Sequence, residues 1–195
     1  MPSLPLYVAL ATAALITACV MPARQQSTRD EAFVPRSWKT VAVLPFAGDA
    51  AFRRPAGEFF AYKLQKQANS SFTNELQKQQ YFQIVPPGFA ETVLERKGQP
   101  VDAREITVEQ AQKLGQMVEA QAVLIGNITL VQSGAVVYVR AEIKLIDVSL
   151  GKMVASVDQP SPLLSYDGYP LAHAAVTQAA AEMKATLESF GKKVR

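Results

Sequence analysis

The sequence predicts an α/β fold, a mixed β-sheet that carries packed helices and ends in an antiparallel three-stranded meander. Three observations indicate this architecture. Apolar residues recur at every fourth position over Glu58–Gln80, as on the buried face of an amphipathic helix. Polar and apolar residues alternate over Val136–Val148, as in a strand with one solvent-exposed face. Strands and helices alternate before three consecutive strands, which places helices against a mixed sheet.

Prolines and a glycine mark the ends of strands in the first half of the predicted fold. The apolar, β-rich run from Lys39 to Phe46 predicts a buried strand, which leads into a loop. Pro86–Gly88 ends the next predicted strand, because proline cannot continue a β-ladder. The expected elements here are a strand at 39–46, a loop at 47–55, a helix at 58–80, a strand at 81–85 and a short helix at 89–96.

A capping box begins the next predicted helix. Thr107 is followed three residues later by Gln110, the spacing at which the two residues cap a first helical turn. Gly151 predicts a tight turn with positive φ between the last two strands. The expected elements in this half are a helix at 107–118, strands at 122–131, 136–148 and 152–157, turns at 132–135 and 149–151, and a terminal helix at 171–190.

Cys19, the only cysteine, follows an apolar N-terminal run. The run from Leu4 to Ile16 is shorter than the about 20 residues that a membrane-spanning helix needs, and it is typical of a signal peptide. The tetrad Ile16–Cys19 resembles the bacterial lipobox, in which cleavage precedes a cysteine that carries lipid. No Lys or Arg precedes the apolar run, which departs from the usual signal. An ordinary secretory signal and a buried structural thiol are the alternatives.

These features divide the chain into a lipoprotein signal peptide at 1–18, a flexible tether at 19–38 and a single periplasmic α/β domain at 39–195. The tether is expected because its polar, mixed composition offers few large apolar groups to bury. Many lipoprotein sorting systems retain a lipoprotein in the inner membrane when Asp follows the lipidated cysteine. Val20 at this position therefore resembles the signal of an outer-membrane lipoprotein. We therefore expect a lipid on Cys19 in the cell outer membrane, with the domain facing the periplasm.

Composition argues against catalysis and against a nucleic-acid partner. The 20 basic and 17 acidic residues give a net charge of +3 and form no block of like charge. His173 is the one histidine, and it is expected to be partly buried or to cap the last helix. No Gly-rich loop precedes a helix, and Cys and His occur once each, so neither a nucleotide nor a metal site is expected. The sequence predicts no enzyme and no cofactor.

Two stretches with aromatic or basic residues are candidate partner-binding surfaces. Phe52, Arg53 and Arg54 lie in the loop before the long helix, and Tyr166 and Tyr169 lie before the last one. Arginine and aromatic residues are enriched in protein interfaces. The alternative is that each is an ordinary solvated or core side chain.

Several short motifs resemble those of the CsgG-type lipoproteins of the bacterial periplasm. The motifs are Val41–Phe46, Leu94–Arg96, Ala122–Ile128 and Ile143–Val154. The wider superfamily resembles the N-terminal domain of TolB and the lipoprotein activators of penicillin-binding proteins. The resemblance implies an α/β fold, envelope protein partners and possible assembly into homo-oligomers.

The pore of the curli-secretion member of that family is not expected here. Each subunit of that pore contributes two long amphipathic hairpins, and a membrane β-strand needs about 9 to 11 residues. The turn at 132–135 leaves no room for one hairpin. The stretch at 158–170 contains three prolines, which interrupt a β-ladder.

The sequence therefore predicts an outer-membrane lipoprotein that binds proteins as a component of an envelope or secretion complex. The alternative is a lipoprotein activator of a peptidoglycan synthase, which needs a tether that reaches the cell wall. A tether of about 18 residues extends at most roughly 60 Å, which is short for that task. A hydrolase is a less favoured alternative.

Overall fold

A mixed sheet with helices packed on it forms the fold, as predicted, and the helices cover both of its faces. The computed structural model describes residues 24–48, 58–99, 106–133, 136–161 and 168–194. The strands are β1 (Gln26–Arg29), β2 (Thr40–Val43), β3 (Ala47–Gly48), β4 (Gln83–Val85), β5 (Ala122–Ser133), β6 (Val136–Asp147) and β7 (Lys152–Pro160). The helices are α1 (Glu58–Leu76), α2 (Pro87–Arg96), α3 (Val108–Met117) and α4 (Gly168–Lys192).

The sheet joins a parallel half to an antiparallel half at β5. Within the described residues, the strands lie in the order β1-β7-β6-β5-β2-β4, and the short β3 pairs with β5 off this path. β2 pairs in parallel with both β4 and β5. β5, β6 and β7 form consecutive antiparallel pairs, which confirms the predicted meander.

Two hydrophobic cores lie on opposite faces of the sheet. Side chains alternate along β2, so Val41 and Val43 belong to one core, whereas Ala42 and Leu44 belong to the other. α1 and α4 pack on the first face, and α2 and α3 pack on the second. The first core includes Phe46, Phe72, Leu124, Ile143, Leu187 and Phe190, and the second includes Ala90, Leu94, Ala111, Val123 and Ile146.

The segment ahead of β2 is partly built into the sheet. Gln26–Arg29 pairs with β7 as an antiparallel edge strand, and all four of its side chains are exposed. Phe33 then packs against Trp38 and Phe190, with ring centroids 5.3 and 5.4 Å away. The structure here differs from the expectation of a flexible tether over 19–38. An edge strand pairs through its backbone, so it needs no apolar side chains.

α1 ends at Leu76, before its predicted end, because the Gln79 side chain binds the chain that follows. Its Oε1 accepts hydrogen bonds from the backbone N–H groups of Tyr81, at 2.7 Å, and Phe82, at 3.0 Å. Its Nε2 donates to the Phe82 carbonyl. The amide therefore pairs with Phe82 as a neighbouring strand would, and β4 begins only at Gln83.

Helix starts and one turn follow the sequence signals. Pro87 occupies the first turn of α2, slightly ahead of the predicted start. The predicted capping box of α3 is present: Thr107 Oγ1 accepts from the Gln110 N–H at 3.2 Å, and Gln110 Oε1 accepts from the Thr107 N–H at 2.9 Å. Gly151 has a φ of +59°, which confirms the left-handed turn between β6 and β7.

Three elements are longer than predicted. β5 and β6 pair as far as Ser133 opposite Val136, so the strands include half of the expected turn at 132–135. β7 continues to Pro160 because its ladder with β6 persists to that residue. α4 begins at Gly168, ahead of its predicted start.

Candidate functional site

One end of the sheet receives the loops that the sequence analysis singled out. β2, β4 and β5 run parallel, and β7 runs in the same direction because both it and β5 are antiparallel to β6. Their carboxyl ends define what we call the carboxyl edge. α1, α2 and α4 each follow a strand that ends there. In open α/β sheets, ligands bind at the carboxyl ends of the strands.

The N-terminal segment also enters the fold at the carboxyl edge. β1 runs antiparallel to β7, and Gln26 lies opposite Asp158, near the end of β7. The chain ahead of Gln26, which includes Cys19, therefore joins the domain at this edge. Cys19 itself lies outside the described residues. The chain from Cys19 to Gln26, when fully extended, spans at most about 25 Å.

The predicted partner-binding residues belong to segments attached to the same edge. Phe52, Arg53, Arg54 and Tyr166 lie outside the described residues, and Tyr169 is in the first turn of α4. The segment with the first three joins β3 to α1, and the segment with Tyr166 joins β7 to α4. The topology therefore attaches both candidate surfaces to one end of the fold, although they are far apart in sequence.

A groove of about 530 Å³ opens between α1 and α2, and we call it the α1–α2 groove. Its position follows from the topology, because α1 and α2 cover opposite faces of the sheet and flank the edge strand β4. One wall is a polar stripe along α1, and the other is the start of α2 with the residue ahead of it. The lining residues are Lys66, Asn69, Ser70, Thr73 and Asn74 on α1, Gln77 just after its end, and Pro86, Pro87, Gly88 and Glu91 opposite.

Hydrogen bonds fix part of the α1 wall. Asn69 Oδ1 accepts from the Phe46 N–H at 3.0 Å, which ties the chain after β2 to α1. Ser70 Oγ donates to the Lys66 carbonyl at 3.0 Å. Thr73 is 5% exposed, and its Oγ1 has no hydrogen-bond partner within the part of the chain that the structure describes. A buried polar atom without a partner costs free energy, so a hydrogen bond to this hydroxyl would stabilise the fold.

The described lining of the groove carries little net charge. Among the lining residues within the described part of the chain, Lys66 holds the one positive charge and Glu91 the one negative charge. Burial raises the pKa of Glu91 above its ordinary value of 4.5, and the carboxylate of Glu95 raises it further. Asn74 on α1 and Gln77 just after its end are exposed on the same stripe. Apart from these two charges, the described lining is neutral and presents both hydrogen-bonding and apolar groups.

The sequence analysis missed this groove. It considered only the apolar side of this helix, although Lys66, Ser70, Asn74 and Gln77 recur three and four residues apart and so lie on one side of it. That spacing was a usable signal for the α1 wall. It also missed Phe89 on α2, whose side chain is 58% exposed.

His173 does not take the predicted position. It lies exposed in the second turn of α4, rather than partly buried or at the helix cap. Within residues 24–48, 58–99, 106–133, 136–161 and 168–194, no group of three His, Cys, Asp or Glu side chains is placed to hold a metal ion. Within the same ranges, no helix has the length and apolar character needed to cross a membrane.

Comparisons with known proteins give structural neighbours but no family. No family model matches the chain, and no curated protein matches it. A solved PelC dodecamer variant from Paraburkholderia phytofirmans is similar at 16% identity and a TM-score of 0.48, covering 85% of this chain and 99% of that one. Lipoprotein GNA1162 from Neisseria meningitidis is similar at 16% identity and a TM-score of 0.46, covering 76% of this chain and 99% of that one.

The C-terminal domain of LpoB from Escherichia coli is similar at 14% identity and a TM-score of 0.43, covering 66% of this chain and 85% of that one. The structural neighbours therefore include bacterial lipoproteins. Similarities at this level assign no function to the chain, and the resemblance to CsgG-type lipoproteins stays a prediction from the sequence.

Proposed function

We propose that this protein is a lipoprotein of the bacterial outer membrane, anchored through Cys19, that binds other envelope proteins as a component of an assembly or secretion complex. In this proposal it acts by binding and not by catalysis, and it needs no cofactor. The observation that carries the proposal is the position of Gln26 opposite Asp158, at the carboxyl edge. The lipobox cysteine precedes Gln26 by a few residues, so the anchor and the candidate partner-binding segments share one end of the fold.

A short connection to the lipid would hold the carboxyl edge close to the membrane. The extended chain between Cys19 and Gln26 spans at most about 25 Å. The segments that carry Phe52 and Tyr166 attach to this edge, so they would face proteins embedded in or bound to the same membrane. This arrangement favours partners at the membrane surface.

Contacts beyond the β-ladder keep the N-terminal segment on the domain. Lys152 Nζ lies 2.7 Å from Asp30 Oδ2, and Lys193 Nζ donates to the Glu31 carbonyl at 2.7 Å. The stretch available as a tether is therefore shorter than the sequence analysis expected. Its reach falls from roughly 60 Å to about 25 Å, which counts against the alternative of an activator that reaches a peptidoglycan synthase across the periplasm.

The proposal is tested by cross-linking in intact cells followed by separation of the membranes. We expect the tagged protein in the outer-membrane fraction and in cross-linked species heavier than the monomer. Phe52→Glu should reduce the yield of these species without changing the melting temperature. Leu150→Glu is the matched control, because Leu150 is an apolar side chain, 63% exposed, in the turn at the opposite end of the sheet.

Two outcomes would contradict the proposal. One is a protein that stays strictly monomeric after cross-linking in cells, which excludes stable partners and homo-oligomers alike. The other is sedimentation with the inner membrane, which would contradict the outer-membrane assignment. Co-expression of two differently tagged copies separates a homo-oligomer from a complex with other proteins.

A further inference from the structure

We propose that the α1–α2 groove binds an extended peptide segment of about five residues, contributed by a protein partner. This inference rests on the protein-binding part of the proposed function and adds a site and a ligand class to it. The groove differs from the segments around Phe52 and Tyr166, since its walls are formed by α1 and the start of α2.

The length of the polar stripe sets the length of the ligand. The stripe runs from Lys66 on α1 to Gln77, which follows the end of the helix and whose N–H still donates to the Thr73 carbonyl. At about 1.5 Å per residue, the eleven steps between these two residues extend about 16 Å. An extended peptide advances about 3.3 Å per residue, so about five residues match the stripe from end to end.

The chemistry of the lining fits a peptide backbone. Asn74 and Gln77 carry exposed side-chain amides, which offer a donor and an acceptor just as each peptide unit does, whereas Asn69 Oδ1 already accepts from the Phe46 N–H. Among the lining residues that the structure describes, none is aromatic, so they offer no ring on which a base or a sugar could stack. Lys66 and Glu91 are the charged groups of this described lining, which therefore contains no cluster of positive charge for a phosphate.

Thr73 adds a hydroxyl that lacks a partner in the free domain. Its side chain lines the groove and is almost fully buried, and its Oγ1 is unpaired among the described residues. Threonine in a helix adopts two χ1 rotamers, one of which directs the hydroxyl to a carbonyl of the preceding turn, so its orientation can change when a ligand binds. Binding a peptide would then satisfy an atom that folding leaves unsatisfied.

The neighbouring edge strand does not offer an alternative route for the same peptide. Strand addition needs a row of free backbone groups, but the Gln79 side chain occupies those of Phe82. Pro86, just after β4, has no N–H. Between Phe82 and Pro86, Ile84 is the residue whose backbone N–H and C=O point away from β2. A single residue cannot form a β-ladder with a peptide. The peptide is therefore recognised by the side chains of α1.

Gly88 provides a variant that blocks the groove without disturbing the fold. A Cβ at this position meets no heavy atom within 4 Å, so Gly88→Leu places its side chain in open space beside the groove. Asn74→Ala removes one exposed amide from the stripe, and Gln116→Ala is its matched control, an exposed amide on α3. All three variants should melt within a few degrees of the wild type.

The experiment is a titration of the ¹⁵N-labelled full chain in detergent micelles with millimolar acetyl-pentaalanine amide, followed by NMR of the side-chain amides. The Asn74 and Gln77 resonances should shift saturably. Gly88→Leu should abolish these shifts, and Asn74→Ala should weaken binding about three- to tenfold. Gln116→Ala should leave the affinity unchanged.

Absence of any shift in the groove, or shifts that persist in Gly88→Leu, would overturn the proposal. In cells, a photo-cross-linking residue at Asn74 should trap a protein adduct, whereas the same residue at Gln116 should not. If the cross-linked species of the wild type persist unchanged in Gly88→Leu, the protein binds partners through another surface. In that case the groove proposal fails while the proposed function stands.

Discussion

The indole Nε1 of Trp38 donates a 2.7 Å hydrogen bond to Oδ2 of Asp147, a residue 109 positions further along the chain. Both residues are buried, at 5% and 4% exposure. The other oxygen, Oδ1, accepts from Ser149 Oγ at 2.6 Å and from the Leu150 N–H at 2.7 Å. One carboxylate therefore ties the segment ahead of β2 to the turn between β6 and β7, at the end of the sheet opposite the carboxyl edge.

Removing the indole donor should destabilise this end of the fold. Trp38→Phe keeps an aromatic ring beside Phe33 but leaves an oxygen of buried Asp147 without its partner, at a cost of about 1–3 kcal/mol. Thermal unfolding followed by circular dichroism should show a lower melting temperature. Ser149→Ala, at an exposed position, should have a smaller effect. Equal melting curves for Trp38→Phe and the wild type would show that the bond contributes nothing.

Gly151 should not tolerate a side chain. Its φ is +59°, and a Cβ there would lie 2.6 Å from Gln112 Oε1. Gly151→Val should therefore destabilise the fold by about 1 kcal/mol or more, measured by chemical denaturation. Gly88→Ala is the control, because that glycine needs no positive φ and has open space around its Cβ. A variant at 151 as stable as the control would refute the role of the turn.

Local sequence signals were sufficient to predict α3. β1 could not be predicted, because its place in the sheet depends on pairing with a distant strand. Thr107 and Gln110 are three residues apart, so their capping box can be read directly from the sequence. Gln26–Arg29 is polar and short, and its place in the sheet depends on distant β7, as shown by Thr28 Oγ1 lying 2.7 Å from Ser156 Oγ across 128 positions. Apolar periodicity carries no information about such an exposed edge strand.

The candidate site shows the same division between local and long-range information. The polar stripe on α1 is a local pattern, visible in the spacing of Lys66, Ser70 and Asn74. The groove exists only because that stripe faces the start of α2 across an edge strand. That arrangement depends on where α1 ends, which the Gln79 side chain sets through its bonds to Phe82, and no sequence rule anticipates those bonds.

Thr73→Val should stabilise the free domain. The substitution replaces a buried hydroxyl that has no partner among the described residues with a methyl group of similar size. Removing an unsatisfied buried donor should add about 1 kcal/mol to the free energy of unfolding. Thr92→Val is the matched control, because Thr92 Oγ1 donates to the Gly88 carbonyl at 2.9 Å and is exposed. Destabilisation by Thr73→Val would mean that the hydroxyl is satisfied in solution.

Glu91 should make stability depend on pH in an unusual direction for a carboxyl group. Because burial, and to a lesser degree Glu95, raise its pKa, the protonated form is favoured in the folded state. The stabilisation of the folded state by protonated Glu91 is fully present below the unfolded pKa of about 4.5. It is lost as the pH rises through the higher folded pKa. Glu91→Gln should therefore gain stability relative to the wild type as the pH rises from about 4 to about 7.

The same group can be followed directly by ¹³C NMR of its carboxyl carbon. The Glu91 resonance should titrate above the ordinary pKa of 4.5. Glu95→Gln should lower that pKa only in part, because burial is the larger cause. A midpoint at or below the ordinary value in the wild type would show that the Glu91 carboxyl is fully solvated.

Cys19→Ser should abolish membrane attachment while leaving the fold intact. The lipobox resemblance of Ile16–Cys19 motivates the change, and serine has no thiol to carry lipid. The first described strand, β1, starts after this position, so its ladder with β7 does not depend on the thiol. Radiolabelled palmitate should enter the wild type and not the variant, and the variant should leave the outer-membrane fraction with an unchanged melting temperature. Equal incorporation of label into both proteins would show that the lipid, if any, is attached elsewhere, and the proposed orientation of the carboxyl edge toward the membrane would lose its basis.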